Sequence, residues 1–316
     1  MSYSSGGLIQ ASDYNGFVGT SPSSTANQIN TVWAVGNGSS GYGQTAVSQV
    51  AISNTITATQ WASLINTLNS IRTHQTGTGS GLSAPTAGTV VTFLSTLSTQ
   101  ATNAYTQRLL FASNSAVTAG TLQSTAWTST TTSSTLTRAF GIRAAFASAD
   151  QARYFFNAGG RLKLNVSGTQ NASTTARTNA AINLQTYLGG VALFSANTNG
   201  GRTGTGGTLG TNATTIGYHT STYGANVTLV SVTSTTTNYT TDTASIAVNC
   251  NGTQGLYNDK GQFVDFWVTI SSTSGGNSGG SFDDSLGVNV RRSIDISYPE
   301  TTNLSNTWGT VTITAL

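Results

Sequence analysis

From about Thr135 onward, the apolar residues of this chain fall at alternate positions, and that spacing limits its folds more than any other feature. Val264, Phe266, Val268 and Ile270 share one side of "FVDFWVTI". Leu162, Leu164 and Val166 alternate with Lys163 and Asn165, and Leu286, Val288, Val290, Ile294 and Ile296 form a third set, with Arg292 set into its apolar side. A period of two is that of a pleated strand burying one face. Further strands are predicted at 139–147, 181–194, 226–233, 244–250 and 308–314, and "NDKG" at 258–261 reads as a tight turn into the strand at 262–270. Roughly eight strands joined by polar turns predict a mainly β domain, an antiparallel sandwich or jelly-roll-like fold. No longer period recurs, which excludes a propeller or solenoid.

The first part of the chain follows a different period. In "TATQWASLINTLNSIRTHQ", Trp61, Leu64, Ile65, Leu68 and Ile71 make a single helical stripe. Thr57 and Gln60 have capping-box spacing, and Arg72 and His74 bring positive charge to the last turn. A second helix is predicted within 89–110 and a shorter one over 25–33, the set packing as a helical hairpin. The division expected is a small α-helical module over residues 1–125 and a β-sandwich over 126–316.

Composition narrows the function. Charged residues make up 7% of the 316 residues, against ~25% in ordinary soluble domains. The net charge of +3 comes from scattered residues that form no basic stripe, so no nucleic-acid footprint is expected. The single cysteine, Cys250, alternates with Ile246 and Val248 and reads as a small core residue. No apolar run is long enough to span a membrane, and the opening "MSYSSGG" lacks the basic and apolar regions of a signal peptide.

The candidate motifs for chemistry are thin. Gly36, Gly38 and Gly41 spell G-x-G-x-x-G. A dinucleotide loop needs a helix starting inside it and an acid some way beyond, yet no helical stripe follows and no carboxylate occurs between Asp13 and Asp150. The loop is therefore expected to return the chain to the helical hairpin. Ser278 sits in a G-x-S-x-G match that leads into a strand rather than a helix, and its only candidate bases are His74 and His219. Asp283 and Asp284 would suit Ca²⁺ or a solvated turn, and a histidine from each subunit of a trimer would be needed for a shared metal site. Glu300 is the only glutamate, which leaves no carboxylate pair for glycoside cleavage. The expectation is a non-enzymatic protein with no catalytic, metal or cofactor site. In a binding reading, Tyr218 and Tyr223 in the 200–225 loop, with a second loop at 271–283, would stack on host saccharides.

Three stretches occur together: "DYNGFVGT…INTVWAVGNGSSGYGQT", "ITATQWASLINTLNSIRTHQTG" and "ADQARYFFNAGGRLKLNVSG". Their succession, over residues 8–168, resembles a group of virion structural proteins of tailed bacteriophages, of tail-fibre, neck or appendage type. The resemblance implies a component made in the host cytoplasm and built into the virion, a homo-oligomer (a trimer is expected) in contact with other tail, neck or capsid proteins; capsid decoration is an alternative. It carries over no catalytic residue. Trp61, Leu64, Leu68 and Ile71 are the candidate helical packing or interface face. Arg153, Tyr154, Phe155 and Phe156 form a candidate corner: a turn or short helix pins the rings over the sandwich end, Arg153 meets Asp150 or a subunit contact, and Gly159–Gly160 reverses the chain.

Overall fold

The computed structural model describes residues 10–88, 90–130, 135–171, 175–273 and 285–316. The long helix predicted from the apolar stripe is α3 (Ala58–Thr76), preceded by α1 (Ala11–Val18) and α2 (Ile29–Trp33) and followed by α4 (Leu94–Thr106). Its start is the reciprocal cap foreseen: the Gln60 N–H donates to Thr57 Oγ1 at 3.3 Å while Gln60 Oε1 accepts from the Thr57 N–H at 2.7 Å. Gly77 ends it in the left-handed conformation. Trp61, Leu64, Leu68 and Ile71 are all buried. They are covered from within the chain: α2 and α4 lie against α3, and Tyr14 and Phe93 meet Trp61 edge-on. Of the two alternatives, packing or interface, the structure shows the stripe as packing within the chain. The predicted 25–33 helix is helical only from Ile29, and α1 was not foreseen.

Two antiparallel sheets make the larger part, and among the described residues there are eleven strands and six helices. One sheet runs β1 (Asn114–Thr118), β10 (Leu286–Pro299), β4 (Arg161–Gln170), β5 (Gly190–Phe194), with β2 (Gln123–Ser129) also pairing with β10. The other runs β11 (Thr312–Ala315), β3 (Thr135–Ala145), β9 (Phe263–Thr273), β8 (Thr243–Asn251), β7 (Val227–Thr233), β6 (Thr208–Asn212). Register matches the alternation: Ile142 stands opposite Phe266, and Ile246 opposite Val268, all turned inward. Cys250 belongs to this core, where burial pushes its thiol pKa up to about 12.

Some expectations needed correcting. The stretch 181–194 is not one strand: α6 (Ala176–Leu188) occupies most of it before β5 begins. This helix packs on β4 and β10 of one sheet and on β7, β8 and β9 of the other, so it plugs the mouth between them. Arg177 anchors it, donating from Nε to Ser272 Oγ and from Nη2 to the Ser272 carbonyl. In 308–314 only the end is a strand, and Trp308 is a core side chain. The three strands that were missed, β1, β2 and β6, are largely exposed and lack an apolar face. Apolar residues from the helices and both sheets form one continuous core, and β2 crosses the expected boundary at residue 125.

Candidate functional site

The glycine loop and the "ARYFFNAGG" corner, far apart in sequence, form one assembly. Helix α5 (Ala149–Asn157) starts from Ser148, whose hydroxyl caps the Gln151 N–H. It carries Arg153 into the interior, where the side chain is fully buried. Nη1 donates to the carbonyls of Val35 at 2.5 Å and Ser40 at 2.9 Å, and Nη2 donates to Asp150 Oδ1 at 2.8 Å. Nε lies 2.5 Å from Asp259 Oδ1, an ion pair without hydrogen-bond alignment. Burial raises the Asp259 pKa, against the pull of Arg153. One turn on, Asn157 Nδ2 donates to the carbonyls of Gly38 and Gly41, and its Oδ1 accepts from His219 Nε2 at 2.8 Å. With the amide spent as donor, His219 must hold its proton on Nε2. Burial, followed by the charges of Arg153, Lys260 and Arg108, lowers its pKa to about 3.

This geometry decides what the loop does. A phosphate cradle turns N–H groups toward a common centre; here the carbonyls of Val35, Gly38, Ser40 and Gly41 converge on an arginine and an asparagine. Gly41, at φ 94, brings its Cα against the Val35 carbonyl, where a Cβ would collide. The loop is a clamp between the helical part and the sandwich. Arg153 meets Asp150 as anticipated; its tie to Asp259 had no signal in local sequence. Phe155 and Phe156 are buried core rings, and Tyr154 packs over Gly43.

The remaining ionisable groups hold the fold together. His74 Nδ1 donates to Glu300 Oε1 at 2.9 Å, and Glu300 Oε2 accepts from the Thr302 and Asn303 N–H groups. Burial alone would raise the Glu300 pKa, but these donors hold it low, while burial lowers that of His74. Arg143 forks onto both oxygens of Asp265 at 2.7 Å, cross-strand. Asp242 accepts from Ser272 and Thr273, Asp295 accepts from the Gly120 N–H and Asn165, and Asp13 closes the α1 cap on the Gln10 N–H. His74 and His219 thus face inward to different partners, and among the described residues no cluster suits a metal ion. Ser278, Asp283 and Asp284, and the 271–283 loop beyond Thr273, lie outside the described residues.

Tyr218 and Tyr223 are not a matched pair at the surface. Tyr218 is fully buried, stacked on Phe156 at 4.5 Å, with its hydroxyl donating to the Gly261 carbonyl. It has no free ring face for a sugar, which corrects its assignment as a saccharide contact. Tyr223 is 40% exposed, and its hydroxyl donates to the Gly252 carbonyl at 2.6 Å.

An open flank remains. β10 faces β3 across the sandwich, Arg292 Nε donating to the Gly141 carbonyl, while α6 ties β4 to β7, β8 and β9. The edges formed by β1 and β2 in one sheet and by β11 in the other therefore lie on the same side. Residues 114–129 and 312–316 contain no charged residue and no proline, the usual guards of an open edge. Val117 is 61% exposed and Leu122 46%. Among the described residues, no helix is long and apolar enough to cross a membrane. Compared with known proteins, the chain matches no family model, no curated protein and no solved structure.

Proposed function

We propose that this protein is a non-catalytic structural subunit of a tailed-phage virion, of tail-fibre, neck or appendage type. In this reading it self-associates as a trimer and docks on other particle proteins. The observation that carries the reading is the use of its ionisable groups. Each described carboxylate and both histidines are taken up in caps, ion pairs or turns of the fold. Bond-breaking requires proton donors and acceptors held at a substrate, whereas a scaffold needs them only for its own rigidity. The resemblance of residues 8–168 to virion proteins points the same way.

The uncharged flank of β1, β2 and β11 is where copies would meet. An open strand edge offers backbone N–H and C=O groups to another chain; these strands carry no charge of their own, although the exposed Arg138 reaches the Ala126 carbonyl of β2 from β3. Light scattering on the purified protein is expected to give three times the chain mass, and Val117→Lys with Leu122→Lys is expected to return it to the monomer. A stable wild-type monomer at micromolar concentration that binds no particle component would overturn the proposal. Labelling the protein on intact particles then tests the virion assignment separately from the trimer.

A further inference from the structure

Arg161 opens β4 just after the Gly159–Gly160 reversal, and its guanidinium lies 4.2 Å from the centroid of the Phe111 ring. Stacking on a ring face fixes the plane of the group while using none of its N–H donors. Its Nε is buried and has no hydrogen-bond partner. No hydrogen bond or ion pair among the described residues reaches the side chain. Burial lowers its pKa and no carboxylate acts in the other direction. The more deeply enclosed arginines differ: Arg153, Arg177 and Arg292 all donate to backbone carbonyls. Arg72, Arg153 and Arg177 also keep one buried N–H unmatched, but each makes other hydrogen bonds with its guanidinium; Arg161 makes none with the described residues, which leaves the group for an acceptor from outside the chain.

The guanidinium lines a cleft of about 420 Å³, within the range of roughly 300–1,000 Å³ typical of small-ligand pockets. Leu109, Phe111 and Leu193 form apolar walls. Leu193 is held at φ 53 and is 44% exposed, a conformation that costs a branched side chain energy and is characteristic of binding sites. Facing them is the turn at 195–199. Ser195 Oγ and Thr198 Oγ1 are 3.2 Å apart there, and the Asn197 side chain makes no hydrogen bond to another described residue. One unpaired arginine with no second cation suits a single carboxylate better than a doubly charged phosphate. Apolar walls opposite hydroxyls and an amide suit a ring with C–H groups on one face and hydroxyls at its rim.

The geometry points to a binding site for a carboxylate-bearing sugar, a uronic or sialic acid, with Arg161 forked onto the carboxylate, Phe111 and Leu193 against the ring's C–H face, and the 195–199 turn holding its hydroxyls. The site is independent of the assembly role, and Tyr223 is not among its lining residues. The test is calorimetric titration of the full-length protein with galacturonic acid and N-acetylneuraminic acid, with galactose and glutarate as controls. At least one acidic sugar is expected to bind, with galactose and glutarate weaker by about ten-fold or more, and Arg161→Gln is expected to cause a similar loss. Arg161→Lys is expected to fall between the two, because it keeps the charge and loses the fork. Hydrogen exchange on the wild-type protein with the sugar bound is expected to slow at 109–111 and 193–200, a readout that does not depend on any variant folding. The proposal is overturned if neither acidic sugar binds at millimolar concentration, if galactose or glutarate binds equally well, if Arg161→Gln binds unchanged, or if protection appears elsewhere.

Discussion

Arg153 and Arg161 stand on either side of the Gly159–Gly160 reversal and put the same side chain to opposite uses. Around Arg153 the protein is closed: two carbonyls, two carboxylates and the rings of Tyr154 and Tyr257 surround the guanidinium. Around Arg161 it is open: one ring supports the group, no hydrogen bond from another described residue reaches it, and the residue lines a cleft. The reversal keeps the two apart. A Cβ on Gly159 would strike the Phe111 ring, so the glycine makes room for the ring that stands 4.2 Å from the Arg161 guanidinium. What distinguishes structure from binding here is the number of acceptors the fold itself supplies, since a saturated cation rigidifies and an unsaturated one waits for a partner.

Removing the closed centre should give the largest effect. Arg153→Met would free the carbonyls of Val35 and Ser40 and leave Asp259 buried without its cation. Breaking a buried pair from one side costs about 3–5 kcal/mol. Urea denaturation should show that loss, with the glycine loop becoming sensitive to proteolysis first. Arg153→Lys should rescue little, because a point charge cannot replace the planar fork. A loss below about 1 kcal/mol, the scale of an exposed pair, would mean that the centre is not what clamps the loop.

Acid should strain the same centre less severely. The His219 pKa is about 3 in the folded protein and ordinarily 6.5. Between those values the unfolded chain takes up a proton that the folded one refuses, so stability is full above pH 6.5 and falls as pH drops toward 3. The slope is at most about 1.4 kcal/mol per pH unit, and about 1 is expected for a partly buried ring. His74, also lowered by burial, adds to it. The raised pKa values of Asp242 and Asp259 act in the opposite sense, gaining stability as pH falls through them. Urea midpoints between pH 7 and 5 should fall in the wild type and fall less in His219→Gln, whose amide can still donate to Asn157.

The sequence made visible what repeats at short range. The α3 stripe with its Thr57–Gln60 cap and the alternation through β4, β9 and β10 are local patterns, and each predicts which face is buried. Helix α6 escaped because Ala180, Ala181, Leu184 and Leu188 are small or widely spaced, and the helix is enclosed by both sheets; its stripe merges with the apolar β5 that follows. β1 and β2 escaped because an exposed edge strand has little apolar face to alternate. For the clamp, only the contact between Asp150 and Arg153 is local enough to anticipate. Asp259 pairing with Arg153, Glu300 with His74, and Phe111 beneath Arg161 depend on long-range folding.

The open centre gives the smallest effect on stability, and that is the sharpest form of the comparison. Arg161→Gln breaks no hydrogen bond among the described residues and forfeits only the stacking on Phe111, worth about 0.5–1 kcal/mol; relief of the buried, unmatched Nε offsets part of that. Its urea midpoint should lie close to that of the wild type, while its affinity for an acidic sugar drops. A stability loss comparable to that of Arg153→Met would place an internal acceptor on Arg161, and the two arginines would then do the same work. A neutral stability change paired with lost affinity instead marks Arg161 as a side chain that the fold positions without using.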